Sequence, residues 1–444
     1  MTSISHLGYG ILKKKLDQNE IKEIIKDLTV SPQTVYNKNF TNQKSFPLWK
    51  ESEKRIYVPK IYGLNKFGIP NKNNIQEGQD INISFNGKLR DEQKPPVKEF
   101  LKACNDETKM GGILNLPCAF GKTAIAIYTI CALRKKTLVI VHKEFLVQQW
   151  HERISMFAPD ARIGLIQGKT IDIEDKDIVI GLLQSLSMKE YDKTVFDSFG
   201  YVIVDEIHRT GAEIFSRALD KVNFKYSLGL SATLNRKDGL SKVFIWHIGN
   251  VVYKIKSRLD DVYVNKCIFD CDDIEYSRIE TLSNGKLNIS KMINNICESV
   301  KRNLFVVNTI KDTLSKDSTR KILVLSDRRS QLQYIYSELS NSYKCGYYYG
   351  GMKQEQLKES ESADIILGTY QMSQEGLDIK GLDTLVLASP KSDIIQSCGR
   401  ILRDKPCERK HIPLIIDIVD EFSIFESQSI KREKYYIKCK YTFI

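Results

Sequence analysis

A chain of 444 residues exceeds what one ordinary hydrophobic core supports, so two or three domains are expected. Hydrophobic residues make up 42% and charged residues 27%, the balance of a soluble globular protein, and no run of 18 apolar residues is present, which excludes a membrane-spanning helix. A net charge of +12 permits a polyanionic partner without requiring one. The opening MTSISHLGYGILKKK lacks the apolar core of a secretory signal. The ten cysteines are scattered without a C-x-x-C pair, which predicts reduced thiols in an intracellular, reducing compartment rather than zinc or disulfides.

Residues 1–85 are polar, with scattered prolines and asparagines. Within them DQNEIKEIIKDLTV predicts a short amphipathic helix, and KRIYVPKIYGLNKFG a strand followed by a turn. This stretch reads as a small α+β accessory region and a candidate for nucleic-acid contact. From residue 86 the pattern changes. GGILNL, TLVIV, ARIGLI, DIVIGLL, YVIVDE and YSLGLSA are short apolar runs separated by helical stretches. Such runs suit parallel strands buried on both faces, so an α/β domain is predicted over 86–256. VYVNKCIF, KILVLS, KCGYYYGG, DIILGT, TLVLAS and IPLIIDIV predict a second α/β domain over 257–430. The polar stretch 271–290 is expected to loop out. A basic aromatic tail, 431–444, follows; packing of its tyrosines on the second domain is favoured over contact with nucleic acid.

The segment NLPCAFGKTAIAIY (115–128) carries the tail of a phosphate-binding loop, Gly121-Lys122-Thr123. The common pattern G-x-x-x-x-G-K-[ST] has a glycine where this chain has Leu116. The context is nevertheless that of a cradle. A buried strand turns into a helix, so backbone N–H groups and the helix dipole face an anion. Lys122 can then reach the β- and γ-phosphates and Thr123 can ligate Mg²⁺. Further on, the strand in YVIVDEIHR ends in Asp205 and Glu206. One such carboxylate can hold a metal shell while its neighbour orients or deprotonates water. Each feature alone has a plain alternative, a strand–helix turn or a solvated strand end.

Taken together, PCAFGKT, DEIH, LSAT (230–233), EGLDI (375–379) and QSCGRILR (396–403) occur in the order and approximate spacing of superfamily 2 helicases. The chain resembles that superfamily over residues 86–420. More narrowly it resembles the XPB-like branch and the helicases of large nucleocytoplasmic DNA viruses, including the poxvirus transcript-release type. The resemblance implies two tandem RecA-like domains and an ATP hydrolase coupled to helicase or translocase activity, with ATP and Mg²⁺ as cofactors. It assigns Arg90 and Gln93 to adenine recognition and Pro117, Cys118, Ala119, Phe120, Gly121, Lys122 and Thr123 to the phosphate loop. Related families accept alanine at the place of Ala119. Asp205 would hold Mg²⁺ with Thr123, and Glu206 would activate water. His208, Ser231 and Thr233 match coupling positions, and Gly376 and Asp378 lie near the nucleotide. Gln396, Arg400 and Arg403 match the last motif, whose arginines stabilise charge on the γ-phosphate.

His142, Lys143, Gln184, Ser185, Ser326, Arg328, Gly368 and Thr369 match the family's groove motifs and are candidates for gripping phosphates; helix capping is the plain alternative for several of them. Arg236-Lys237-Asp238 stands where the XPB-like branch has an Arg-Glu-Asp element, with one charge reversed, so a solvated turn is an equal reading. The implied partner is nucleic acid, DNA favoured over RNA, with transcription machinery beyond it, and the chain is expected to act as a monomer without a membrane. If the source is viral, the expected location is host cytoplasm, a viral factory or the virion. Two other readings stay open: a duplex-DNA translocase that releases transcripts without separating strands, and a nucleic-acid-binding scaffold that hydrolyses poorly.

Overall fold

A computed structural model describes all residues except 1, 33–44, 118–119, 193, 233–237, 256–260, 376–378 and 405. Cys118, Ala119, Thr233, Arg236, Lys237, Gly376 and Asp378 therefore lie outside the described residues. The chain separates into two compact units, Met1–Lys256 and Ser257–Ile444. Among the described residues no helix is long and apolar enough to cross a membrane.

The first unit is built on an eight-stranded sheet. Its order is Thr170–Asp172, Ile163–Gln167, Ile178–Leu182, Thr137–Val141, Tyr201–Val204, Tyr226–Ser231, Gly111–Asn115 and Val251–Lys254. Every pairing is parallel except that of the Thr170–Asp172 edge. Helices such as Lys122–Leu133 and Glu144–Phe157 supply the crossovers that parallel strands require. Strands Gly111–Asn115, Thr137–Val141 and Tyr201–Val204 are buried at every residue, which is why they read as unbroken apolar runs. Ile163–Gln167, one place from the edge, alternates between buried and half-buried positions.

Residues before 86 carry a second sheet, ordered Lys50–Glu51, Arg55–Val58, Gly8–Leu12, Thr2–Ser5 and Lys72–Asn73. The predicted amphipathic helix is Gln18–Leu28. Asp17 and Glu20 form its capping box, and it buries Ile24 and Leu28. The turn predicted after KRIYVP is instead a helix, Lys60–Phe67. Pro59 sits at its N-cap, and Ile61, Tyr62 and Leu64 give it a buried face. Gly63 is a packing residue here, because a Cβ would fall 2.2 Å from the Tyr9 ring. One apolar cluster runs from Ile4, Tyr9 and Ile61 to Ile113, Leu138 and Phe244, so this region shares a core with the larger sheet.

The second unit holds a seven-stranded, wholly parallel sheet. Its order is Cys345–Tyr348, Ile365–Thr369, Ile322–Ser326, Thr384–Leu387, Leu414–Asp420, Tyr263–Phe269 and Thr442–Phe443. The expectation of a loop over 271–290 is corrected in part. Helix Ile274–Ser277 interrupts it, and buried Tyr276 donates its hydroxyl to Asp420 at 2.6 Å. The boundary drawn at residue 430 falls inside helix Ser423–Lys438. Tyr436 and Tyr441 are buried, and Thr442–Phe443 pairs with the Tyr263–Phe269 strand. Two buried ion pairs, Arg302–Asp420 at 2.6 Å and Arg432–Asp417 at 2.9 Å, tie helices Val300–Lys316 and Ser423–Lys438 to the Leu414–Asp420 strand. Each arginine meets further polar groups, as burial of charge demands.

Candidate functional site

The phosphate loop leaves strand Gly111–Asn115 and enters helix Lys122–Leu133. Gly121 is left-handed at φ 81°, and a Cβ there would lie 2.4 Å from the Gln93 amide nitrogen. Only glycine combines that backbone with that approach. The Phe120 carbonyl accepts a hydrogen bond from Gln93 Nε2 at 2.9 Å and another from the Arg90 guanidinium. Gln93 in turn accepts the Arg90 backbone N–H at 2.9 Å. The two residues expected to meet adenine thus also brace the loop. Phe120 is buried, while Pro117 and Thr123 are half-buried.

Lys122 begins the helix and places Nζ 2.9 Å from Glu206 Oε1. Glu206 leaves strand Tyr201–Val204 with φ 47° and ψ 51°, a left-handed backbone that costs free energy in a non-glycine residue. This bend separates it from Asp205, which stays buried and accepts a hydrogen bond from Trp150 Nε1 at 2.9 Å. Burial raises the Asp205 pKa to about 6, and the neighbouring Glu206 charge adds to this; Lys122 and the Trp150 bond act the other way. His208 Nδ1 lies 2.9 Å from the buried Ser231 hydroxyl, at the end of Tyr226–Ser231, and 3.3 Å from Glu206 Oε2. Lys122, Asp205, Glu206, His208 and Ser231 therefore form one connected group. Trp150 is the member that motif reading misses. A tryptophan on an amphipathic helix reads as core, and nothing local announces its N–H.

The groove candidates of this unit also gather. Strands Thr137–Val141 and Ile178–Leu182 pair with Val141 opposite Leu182, so His142 and Lys143 leave the sheet beside Gln184 and Ser185. Lys143 is the N-cap of helix Glu144–Phe157, Gln184 is exposed, and the Ser185 hydroxyl accepts the Gly168 N–H at 2.9 Å.

In the second unit Ser326 and Thr369 are paired in register, at the carboxyl ends of their strands, with Gly368 one residue earlier. Ser326 is fully buried. Its hydroxyl donates to Gln331 at 2.6 Å and accepts the Arg328 N–H at 3.0 Å, so it holds the start of helix Arg329–Leu339 rather than touching a ligand. Arg328 reaches Ser290 at 3.0 Å and also Asn294. Half-buried Gln396 lies in helix Ile395–Cys398, Arg400 Nε donates to the Ser373 carbonyl, and Arg403 is half-buried. Ser373 and Ser397 approach to 3.2 Å between hydroxyls, linking the helix of Gln396 to the segment before Gly376.

A parallel sheet with a strand–loop–helix cradle and an acidic strand tip defines a P-loop nucleoside triphosphatase. Residues 86–236 match the family "Type III restriction enzyme, res subunit", and residues 306–405 match "Helicase conserved C-terminal domain". The "Putative ATP-dependent RNA helicase L396" of Acanthamoeba polyphaga mimivirus is 36% identical over 452 aligned positions, covering 99% of this chain and 86% of that one. The chain belongs to the superfamily 2 helicases of nucleocytoplasmic DNA viruses, and its two parallel sheets are the tandem RecA-like domains of an ATP-dependent helicase. "Putative helicase 161L" of Invertebrate iridescent virus 6 is 27% identical, covering 86% of this chain and 88% of its own. "Transcript termination protein A18" of Fowlpox virus is 24% identical, covering 80% and 82%.

Proposed function

We propose that this helicase is an ATP-driven translocase that works during viral transcription, with DNA as its track. The observation that carries the catalytic part is the ion pair of Lys122 with Glu206 beside the Trp150-held Asp205. Lys122 takes the β- and γ-phosphates when ATP enters. Its attraction to Glu206 is then replaced by attraction to phosphate, which leaves that carboxylate to orient and deprotonate the attacking water. Arg90 and Gln93 receive adenine, and Gln396, Arg400 and Arg403 supply polar and positive groups to the transferring phosphate.

The residues also fit Mg²⁺. Asp205 is a buried carboxylate held by Trp150, and Thr123 lies in the first turn of the helix after the loop, so a carboxylate and a hydroxyl suited to a hard cation are both present. When bound, the ion neutralises phosphate charge. His142, Lys143, Gln184 and Ser185 of the first unit, and separately Arg328, Gly368 and Thr369 of the second, are its phosphate-gripping groups, and His208 with Ser231 couples those of the first unit to the nucleotide. The role in transcription follows the Fowlpox relative, whose name assigns it to transcript termination. RNA as the track is the second reading, favoured by the name of the mimivirus relative. The chain acts inside the infected cell as a monomer; the cysteines among the described residues are all free thiols, as a reducing compartment allows.

The test is ATPase rate with single-stranded DNA, duplex DNA, forked DNA and RNA, paired with strand displacement on the same substrates. Duplex-DNA stimulation without displacement supports the translocase; stimulation by RNA alone transfers the track to RNA. Glu206→Gln should keep ATP binding and lose turnover by about 10²-fold or more. A near-normal rate in that variant would sink the assigned chemistry.

A further inference from the structure

The edge strand of the second unit, Cys345–Tyr348, ends beside the candidate track. It pairs with Tyr348 opposite Gly368, so Tyr349 emerges at the level of Thr369. There the Arg329 guanidinium sits over Tyr349, its carbon 4.5 Å from the ring centroid. The same guanidinium donates to the Gly350 carbonyl, a second point of attachment. Tyr347 lies 5.4 Å from Tyr349 with the two rings tilted by 55°, and Tyr336 stacks on Tyr347 at 4.5 Å and 20° between planes. The result is a cluster of three rings capped by one cation. It starts half-buried on the helix Arg329–Leu339 and ends in an exposed arginine.

An exposed arginine ordinarily keeps its rotamer freedom or pairs with an acid. Among the described residues no carboxylate pairs with Arg329. A ring and a carbonyl hold it instead, which leaves both its charge and its outer face unspent. The adjoining turn is uncrowded, since Cβ atoms built on Gly350 and Gly351 meet nothing within 4 Å. A planar cation packed on an aromatic ring is a surface on which a flat π-system stacks, with the charge serving an adjacent phosphate.

We infer that Arg329, backed by Tyr349, Tyr347 and Tyr336, is a stacking platform for an unpaired nucleobase of a single strand held on the second unit. The inference rests on the reading of the chain as acting on nucleic acid and adds to it a preference for unpaired bases. Phosphate contacts at Arg328 and Thr369 grip the backbone; the platform takes the base that a duplex would keep paired. Stacking is indifferent to the sugar, so DNA and RNA strands are both accepted here.

The test measures binding of the full chain, by fluorescence anisotropy at physiological salt, to oligothymidylate, oligouridylate and an abasic strand of the same length. Base-bearing strands should bind roughly tenfold tighter than the abasic one. Arg329→Lys keeps the charge and removes the plane. It should abolish that preference while leaving abasic binding within about twofold. Tyr349→Leu, which removes the backing ring, should act the same way, with thermal melting confirming that each variant is folded. Equal binding of base-bearing and abasic strands by the unmodified protein overturns the inference alone, as does a preference that survives Arg329→Lys. Failure to bind any of these strands overturns the inference, and if duplex DNA also leaves the ATPase rate unchanged the nucleic-acid reading falls with it.

Discussion

Asp205 shows how chemistry and stability pull against each other at a single carboxyl. Its folded pKa of about 6 lies above the ordinary value of 3.8, so the folded state holds the proton more tightly than the unfolded state. Stability linked to this group is therefore present below about pH 4 and is lost as pH rises through about 6. Near neutrality the ionised group burdens the fold. Asp205→Asn should keep an acceptor for Trp150 and remove the burden, raising stability by about 1–3 kcal/mol near pH 7. The gain should shrink to nothing near pH 4, where the native carboxyl is already neutral. Thermal unfolding of both proteins across that range is the measurement, and a gain independent of pH would show that ionisation is not the cause. At this scale the acids are legible as a pair after four apolar residues. Their inequality is not, because it comes from Trp150, 55 positions away, and from the left-handed backbone of Glu206.

Elements are legible where one physical signal dominates. The parallel strands of both sheets appear as short apolar runs because water touches neither face. The helix Lys60–Phe67 does not announce itself, because Pro59, Gly63 and Asn65 imitate a turn; only its neighbours show that Gly63 makes room for Tyr9. The Arg302–Asp420 and Arg432–Asp417 pairs are likewise invisible beforehand, since charges far apart in the chain read as solvated. That same hidden helix carries a buried lysine. Lys60 Nζ donates to the Lys225 carbonyl at 3.0 Å and lies 4.4 Å from the Phe224 ring centroid, fastening the helix next to strand Tyr226–Ser231. Burial lowers its pKa from 10.5 to about 7. The unfolded state binds more protons between those values, so this group makes the fold gain stability as pH climbs across that window. Lys60→Met should raise the melting temperature near pH 6, where the native amine is charged and buried. The advantage should fade toward about pH 10, where the amine is neutral in the fold. An unchanged melting temperature at both ends would mean that the ammonium is hydrated where it sits.

For the whole molecule the governing quantity is the net charge of +12. Charge alone specifies no partner, but it sets how a polyanion is held. The candidate track consists of basic side chains, hydroxyls and strand-end backbone, groups suited to phosphates; the proposed Arg329 platform is suited to any base. None of these reads a base edge, so affinity should come from phosphate neutralisation and be nearly independent of sequence. Each phosphate neutralised on a single strand contributes about −0.7 to the slope of log affinity against log salt. The cations Lys143, Arg328 and Arg329 then give a slope of about −2, and affinity falls roughly twentyfold between about 50 and 200 mM salt. Lys143→Ala should lessen the slope by about 0.7, whereas Arg329→Lys, which keeps its charge, should leave it unchanged while erasing the preference for base-bearing strands. The two variants thus separate the electrostatic grip from stacking on the same protein. Titrations of scrambled strands of one length at several salt concentrations provide the measurement. A shallow slope, or strong discrimination among scrambled sequences at fixed salt, would mean that this chain recognises bases through contacts other than the track and the platform.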